Sequence, residues 1–269
     1  TGVDPQRQPI YNRARAALRE AAMRRAAEGK QRWSLTIFPT AAYAQDADMS
    51  TDEFTRFLAG AMFLDQPDPV AAWSDLSARQ QRLIDWLSQR SELHITGPGT
   101  DLRMNVGGRH WVNSDGKRNF PSGEVFTGPV EDSAEGHVHF SYPVVTNGRE
   151  IADIRLRFES GKVIDATASK NEQYLIDTLD TDEGSRRLGE IAFGTNFGIT
   201  RFTKNILLDE KIGGTMHMAL GAGYPETGNS NTSAIHWDMI CDLRAGGQAT
   251  LDGAQALLQQ RAHVLGLPQ

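Results

Sequence analysis

The spacing of apolar residues changes once along this chain. From 9 to about 28 the text is rich in Ala, Arg and Glu (PIYNRARAALREAAMRRAAE), and Gly29 stands where a helix stops, so a helix is predicted there. Trp33 to Phe38 (WSLTIF) predicts a short buried strand closed by Pro39. Ser50-Thr51-Asp52-Glu53 has the form of a capping box, with Phe54, Phe57, Leu58 and Met62 following at helical spacing. Asp68-Pro69 opens a further helix to about Ser88, with Trp73, Leu76, Leu83 and Trp86 along its apolar side. Near Glu92 the period falls to two. LHITG, DLRMNVGG, RHWVNSDG, EVFTGPV, GHVHFSYPVV, REIADIRLRFESG and KVIDATA are β-type segments broken by turns. Asp115-Gly116, Asn147-Gly148 and Ser160-Gly161 are hairpin signals. Helical text returns from Asn171 to Leu179 and from Thr181 to Arg187, a glycine-rich stretch follows, and His236 to Ile240 alternates as a strand does. Gly246-Gly247 and Asp252-Gly253 punctuate the last hairpin-like pieces. The class this predicts is α+β: a helical part over 1–90, then a largely antiparallel, barrel-like β-rich domain over 91–269.

The bulk numbers exclude more than they identify. A chain of 269 residues, 39% hydrophobic and 23% charged, is that of a soluble globular protein. A net charge of −6 gives no basic footprint for nucleic acid and no polybasic arm for a membrane surface. No apolar run reaches bilayer length. The lone Cys241 excludes an internal disulfide framework and a thiolate zinc site, and a cytoplasmic location is the expectation that goes with it. Thr1-Gly2-Val3-Asp4-Pro5 carries neither an initiator Met nor a signal-peptide pattern, so the chain reads as part of a longer protein.

The chemistry concentrates between Glu190 and Asp238, where Glu190, Asp209, Glu210, His217, Tyr224, His236 and Asp238 are spaced through glycine-rich turns. Carboxylates and imidazoles are natural ligands for zinc, cobalt or manganese. His236-x-Asp238 is the sharpest pair, because residues i and i+2 of a strand face the same way. An isolated pair of that kind is more often an ordinary surface contact. His217 and Tyr224 lie seven residues apart; were His217 helical, Gly221 and Gly223 would end that helix and Tyr224 could offer its hydroxyl as a donor. Each is equally at home in a core. Glu190 and Glu124 both stand beside apolar β text and need a solvent-facing position or a cation partner. Asp209-Glu210 could be a solvated loop or a partner for Lys211. His137 and His139 share one face of a β segment and are surface candidates. No G-x-S-x-G elbow, no phosphate-binding P-loop and no H-E-x-x-H occurs.

Longer stretches carry a resemblance. SGEVFTGPVEDS (122–133), LGEIAFGTN (188–196), NILLDEKIGGTMHMALGAGYPETG (205–228) and SAIHWDMICDLR (233–244), with FPTAAYAQDADMSTDEF and ITGPGTDLRMNV upstream, resemble the thermophilic metalloaminopeptidases, the aminopeptidase T family. The resemblance covers nearly the whole chain. Family members carry a further N-terminal α/β region of roughly a hundred residues, which is not found here, and the C-terminal AQALLQQRAHVLGLPQ fits the family's final hairpin poorly.

The resemblance implies a two-metal exopeptidase. Glu124, Glu190, His217, His236 and Asp238 correspond to the metal ligands, with Glu190 as the bridging candidate. Tyr224 corresponds to the active-site tyrosine, and Glu210 to an acidic position beside the metals, either general base or extra ligand. Two divalent ions, of zinc, cobalt, manganese or magnesium, would share a water, and the substrate would be a peptide with a free N-terminus. A homodimer that restricts access to the cleft is also implied, and no nucleic acid or membrane partner. The competing expectation is a scaffold or binding protein that keeps the metals for stability alone.

Overall fold

The computed structural model describes residues 28–256 apart from 147, together with positions 14, 18, 21, 22 and 25. The chain divides into two compact units, Thr1–Thr36 and Ile37–Gln269. In the first, the helix expected over 9–28 lies largely outside the described residues; Ala14, Leu18, Ala21, Ala22 and Arg25 are helical. Strand β1 (Leu35–Thr36) is exposed, with Leu35 and Trp33 facing solvent. The buried strand expected from WSLTIF is therefore not found: two residues of ladder are too few to give that text a buried face.

The second unit opens with three helices. Helix α1 (Ala41–Asp46) starts at Thr40, whose hydroxyl accepts from the Tyr43 amide. Helix α2 (Thr51–Ala61) carries the expected capping box, with Ser50 and Glu53 satisfying each other's backbone amides. Helix α3 (Pro69–Leu87) is capped by Asp68, which accepts from the Ala71 amide at 2.9 Å, and has Pro69 in its first turn. Phe54, Leu58 and Ala61 of α2 are buried with Ile37, Ala44, Ile199, Leu208 and Ile212 in a small apolar cluster. Leu76, Leu83, Ile84 and Leu87 line the buried face of α3.

The β text becomes β2 (Glu92–Gly97), β3 (Thr100–Asn105), β4 (Val112–Ser114), β5 (Asn119–Phe120), β6 (Glu124–Thr127), β7 (Glu135–Phe140), β8 (Val144–Thr146), β9 (Arg149–Ile151), β10 (Ile154–Glu159) and β11 (Lys162–Thr167). Helix α4 (Glu172–Leu179), strand β12 (Leu188–Gly194), the single turn α5 (Ile206–Asp209), then β13 (Thr215–Gly221), β14 (His236–Asp242), β15 (Gln248–Leu251) and β16 (Ala254–Ala256) complete the unit. Ser160-Gly161 closes the β10–β11 hairpin, and Asn147-Gly148 falls between paired β8 and β9, with 147 itself outside the described residues. Asp252-Gly253 closes β15–β16. Two expectations give way. Asp115-Gly116 does not make a hairpin: β4 pairs with β6, and the Asp115 carboxylate is drawn to the Ser77 hydroxyl of α3 at 2.7 Å. Of the helix expected over 181–187, only the 3-10 turn Glu183–Arg186 forms.

Two large open antiparallel sheets dominate the described residues, beside shorter pairings such as β8 with β9. Seven strands run β11-β10-β7-β3-β2-β15-β16, and five run β14-β13-β12-β6-β4. The α+β class holds, and neither sheet closes into a barrel. One apolar core joins them: Leu93, Ile95, Leu102, Phe140, Leu156 and Phe158 from the larger sheet, and Val125, Ile191, Phe193, Met216, Met218 and Met239 from the smaller. Because side chains alternate along a strand, filling one face of the smaller sheet with this core leaves its other face for the remaining residues of β6, β12, β13 and β14.

Candidate metal centre

That remaining face carries the acids and imidazoles. In β12, Glu190, Ala192 and Gly194 point the same way. Register pairing places Glu190 opposite Ala219, Ala192 opposite His217, and Gly194 opposite Glu124 of β6. Across β13 and β14, Ala219 pairs with Asp238 and Gly221 with His236. Directly paired residues of antiparallel strands share a side, so Glu124, Glu190, His217, His236 and Asp238 all project from one surface. The positions between them are Ala192, Gly194, Ala219 and Gly221, the smallest side chains available. His217 thus lies on a strand, not a helix, and Gly221 ends β13 in a backbone conformation (φ 100°) that favours glycine. Gly194 meets a different demand. The segment at 211–212 crosses so closely that a Cβ there would collide with the Ile212 carbonyl oxygen.

The distances describe one cluster. Glu190 reaches both imidazoles, its Oε1 lying 3.5 Å from His217 Nε2 and its Oε2 3.2 Å from His236 Nε2. His236 Nε2 is 3.6 Å from Asp238 Oδ1, and His217 Nε2 is 3.6 Å from Glu124 Oε2. Glu190, His217 and Asp238 each offer a ligand atom within 4.8 Å of the others, the spread of donors around one ion. Both imidazoles are aimed from behind. His217 Nδ1 donates to the Glu210 carbonyl at 2.9 Å and His236 Nδ1 to the Ala222 carbonyl at 2.7 Å, which leaves each Nε2 facing inward. Glu124 is held through its backbone, since its carbonyl accepts from the fully buried Gln80 of α3 at 2.8 Å.

Lys211 belongs to the cluster and was not singled out as a site residue by sequence. Its side chain has no solvent exposure, and its ammonium contacts Glu210 and lies 3.5 Å from Glu124 Oε1. A lysine next to DE in a polar-looking loop reads as a surface residue. Its segment passes close over Gly194 of β12, and the side chain is fully buried. Glu210, whose carboxylate is taken by Lys211, borders the cluster. Tyr224 stands at the outer end, 42% exposed, its ring 5.0 Å from that of His236. Asp209 turns away and accepts from the Thr203 amide and hydroxyl at 2.7 and 2.8 Å. His137 and His139 lie on the larger sheet, where His139 pairs with Asp153 at 2.6 Å.

The electrostatics follow from crowding carboxylates in a desolvated place. Burial pushes the Glu124 carboxyl up, against the pull of Lys211, and burial with the charge of Glu210 lifts Asp238 to about 7. Burial acts the same way on Glu190, but the hydrogen bonds from His217 and His236 outweigh it and hold it down at about 2. Burial alone would lower the imidazoles; the Glu190 contact reverses this and carries His217 to about 10 and His236 to about 9. Protons thus stand in for cations in the bare cluster. The donor set fits a divalent metal: carboxylate oxygens and inward imidazole nitrogens, among them Glu124 Oε2, a buried oxygen with no hydrogen-bond partner.

Comparison with known proteins gives the class, a metalloprotease. The family description "Thermophilic metalloprotease (M29)" matches residues 1–258. Aminopeptidase 2 of Geobacillus stearothermophilus is 33% identical over 293 residues, covering 93% of this chain and 69% of that protein. Aminopeptidase T of Thermus thermophilus is 33% identical over 248 residues, covering 84% of this chain and 60% of its own length. Among solved structures, wild-type AmpT from Thermus thermophilus superposes with a TM-score of 0.79 at 29% identity, covering 94% of this chain and 70% of that one. The chain belongs to the thermophilic metalloprotease family, and membership implies a divalent metal cofactor. No helix among the described residues is long and apolar enough to cross a membrane.

Proposed function

We propose that this protein is an aminopeptidase that releases the N-terminal residue from peptides with a free amino terminus. One observation carries the reading: Glu190 sits between two inward-facing imidazoles, at 3.5 and 3.2 Å, with Glu124 and Asp238 beside them on a sheet face whose intervening positions are Ala192, Gly194, Ala219 and Gly221. Glu124, Glu190, His217, His236 and Asp238 would hold the metal, with Glu190 central among them. Bound there, two divalent ions of zinc, cobalt, manganese or magnesium would supply Lewis-acid charge and an acidified water.

The chain's own groups do the rest. Glu210, fixed by Lys211 at the edge of the cluster, takes the water's proton and passes it to the leaving amine. Tyr224, packed against His236, donates its hydroxyl to the oxyanion that develops on the scissile carbonyl. The closed end of the cluster (Glu124, Lys211, His217) keeps bulk water out, while His236 and Tyr224 at the other end remain open to substrate. A homodimer that narrows the approach to the cleft is part of the same proposal.

The test is release of p-nitroaniline from leucine p-nitroanilide by the metal-loaded protein, with and without a chelator. Release that the chelator abolishes, and that added metal restores, supports an aminopeptidase. No release from a protein shown to hold metal would leave a metal-stabilised scaffold.

A further inference from the structure

A cavity of about 150 Å³ opens directly beside the centre, with His236 and Asp238 on one wall. Nothing in the proposed chemistry uses it. The alternation of β14 explains why it adjoins the ligands: His236, Asp238 and Ile240 share one face, and Ile240 is paired in register with His217. Past the ligands, that same face becomes aliphatic. Val144 of β8, Phe202 and Ile206 line the cavity with Ile240.

Its walls are anchored. Phe202 stacks on Tyr142, ring centroids 4.7 Å apart and planes within 6°. The Tyr142 hydroxyl donates to Asp242 at 3.1 Å and accepts from Arg244 at 2.7 Å. Next to Phe202, the Thr203 amide and hydroxyl are held by Asp209. The cavity is therefore formed before any substrate arrives. The apolar part of its wall, Val144, Phe202, Ile206 and Ile240, faces a space large enough for a branched or aromatic side chain, beside a polar part that carries His236, Asp238, Asp209 and Lys204.

We propose that this cavity receives the side chain of the substrate's N-terminal residue and selects branched aliphatic and aromatic residues over small ones. The inference rests on the aminopeptidase reading and adds its specificity. Lys204, Asp209 and Asp238 also line the space, so its polar part presents both signs of charge. A methyl group would leave most of the volume empty, forgoing the contacts that distinguish substrates by about 10- to 200-fold in apolar pockets.

The experiment compares kcat/KM for Leu, Phe and Ala p-nitroanilides. Metal-loaded wild-type protein should favour Leu and Phe over Ala by about 10-fold or more. Ile206 is 45% exposed, so Ile206→Trp can narrow the space without disturbing the core. It should lower the Leu/Ala ratio by about 10-fold, mostly through KM, whereas Phe202→Ala should raise the Phe/Leu ratio. Each ratio is taken within one preparation, so incomplete folding or metal loading does not alter it. Variants that slow every substrate equally, with ratios kept within about twofold, would overturn the pocket assignment and leave the aminopeptidase intact. Failure to cleave any of the anilides would remove the activity itself, and the pocket's role with it.

Discussion

Both sheets of this protein carry metal-capable side chains, yet among the described residues one sheet alone gathers them. On the seven-stranded sheet, His94 pairs with Asp101 at 2.8 Å and His139 with Asp153 at 2.6 Å, and register sets His137 opposite Asp101. Asp101 and Asp153 are 59% and 46% exposed, so each contact is a solvated pair. On the five-stranded sheet the same residue types converge. Among the described residues, Glu190, His217 and Asp238 form the one group of three or more with metal-ligand spacing. Three things differ. The neighbouring positions there are Ala and Gly, the 211–212 segment covers the face, and Glu210, Ala222 and Gln80 hold the ligands from behind. Residue type proposes a metal centre; space, cover and orientation make one.

Glu190→Gln strikes hardest at that difference. It should lose bound metal, costing more than the roughly 100-fold typical of residues behind the ligands. Metal content and anilide turnover would fall together, while Asp101→Asn on the other sheet should leave both unchanged. Equal losses in the two variants would erase the contrast between the sheets.

Lys211→Met should come next. Removing a fully buried cation strands Glu124 and Glu210, and breaking such a pair typically costs about 3–5 kcal/mol. Urea unfolding of the metal-free protein would show it, with metal recovering part of the loss. Stability within about 1 kcal/mol of wild type would place Lys211 in water instead.

The effect of pH sharpens the comparison from the proton side. In the metal-free protein the His217 and His236 pKa values are raised from 6.5 to about 10 and about 9. Their contribution to stability is present in full below about pH 6.5 and lost as pH rises through 9 to 10. Metal loading near neutrality must displace both protons. Apparent affinity should therefore rise by up to about 100-fold per pH unit below pH 9. Calorimetry in buffers of different ionisation enthalpy counts the protons, and a count of zero would mean that both imidazoles are already neutral.

Gly194→Ala is the smallest of these effects, a single methyl where the sheet is crossed. Pushing the 211–212 segment off the sheet should cost about 1–3 kcal/mol and weaken metal binding by displacing Lys211 and Glu210. A Gly108→Ala control, at a glycine with open space around it, separates crowding from general intolerance of alanine. Its positive φ adds a backbone penalty of its own, so metal affinity is the informative readout.

Much of this was legible in the text because it is local. The Ser50–Glu53 box, the Asp68-Pro69 start of α3 and the Ser160-Gly161 turn are complete within a few residues, and all formed. His236-x-Asp238 needed only the period of a strand. The resemblance carried Glu124, Glu190 and His217 to one site, and the strand register brings them there. What local text could not show depends on residues far apart in sequence. His217 looked compatible with a helix because its strand is flanked by glycines and buried on both faces, without the alternation of a half-exposed strand. Lys211 looked solvated because its cover comes from elsewhere. Asp115-Gly116 looked like a hairpin because the competing partner, Ser77, lies on a distant helix.

The most direct test of the centre is an anomalous-scattering map from crystals of the zinc-loaded protein. The account predicts metal density within about 2.0–2.2 Å of ligand atoms from Glu190, His217 and Asp238. A second ion would lie on the His236 or Glu124 side of Glu190. A map with no metal at this face, or with its strongest peak at His94 and His139 on the other sheet, would contradict it.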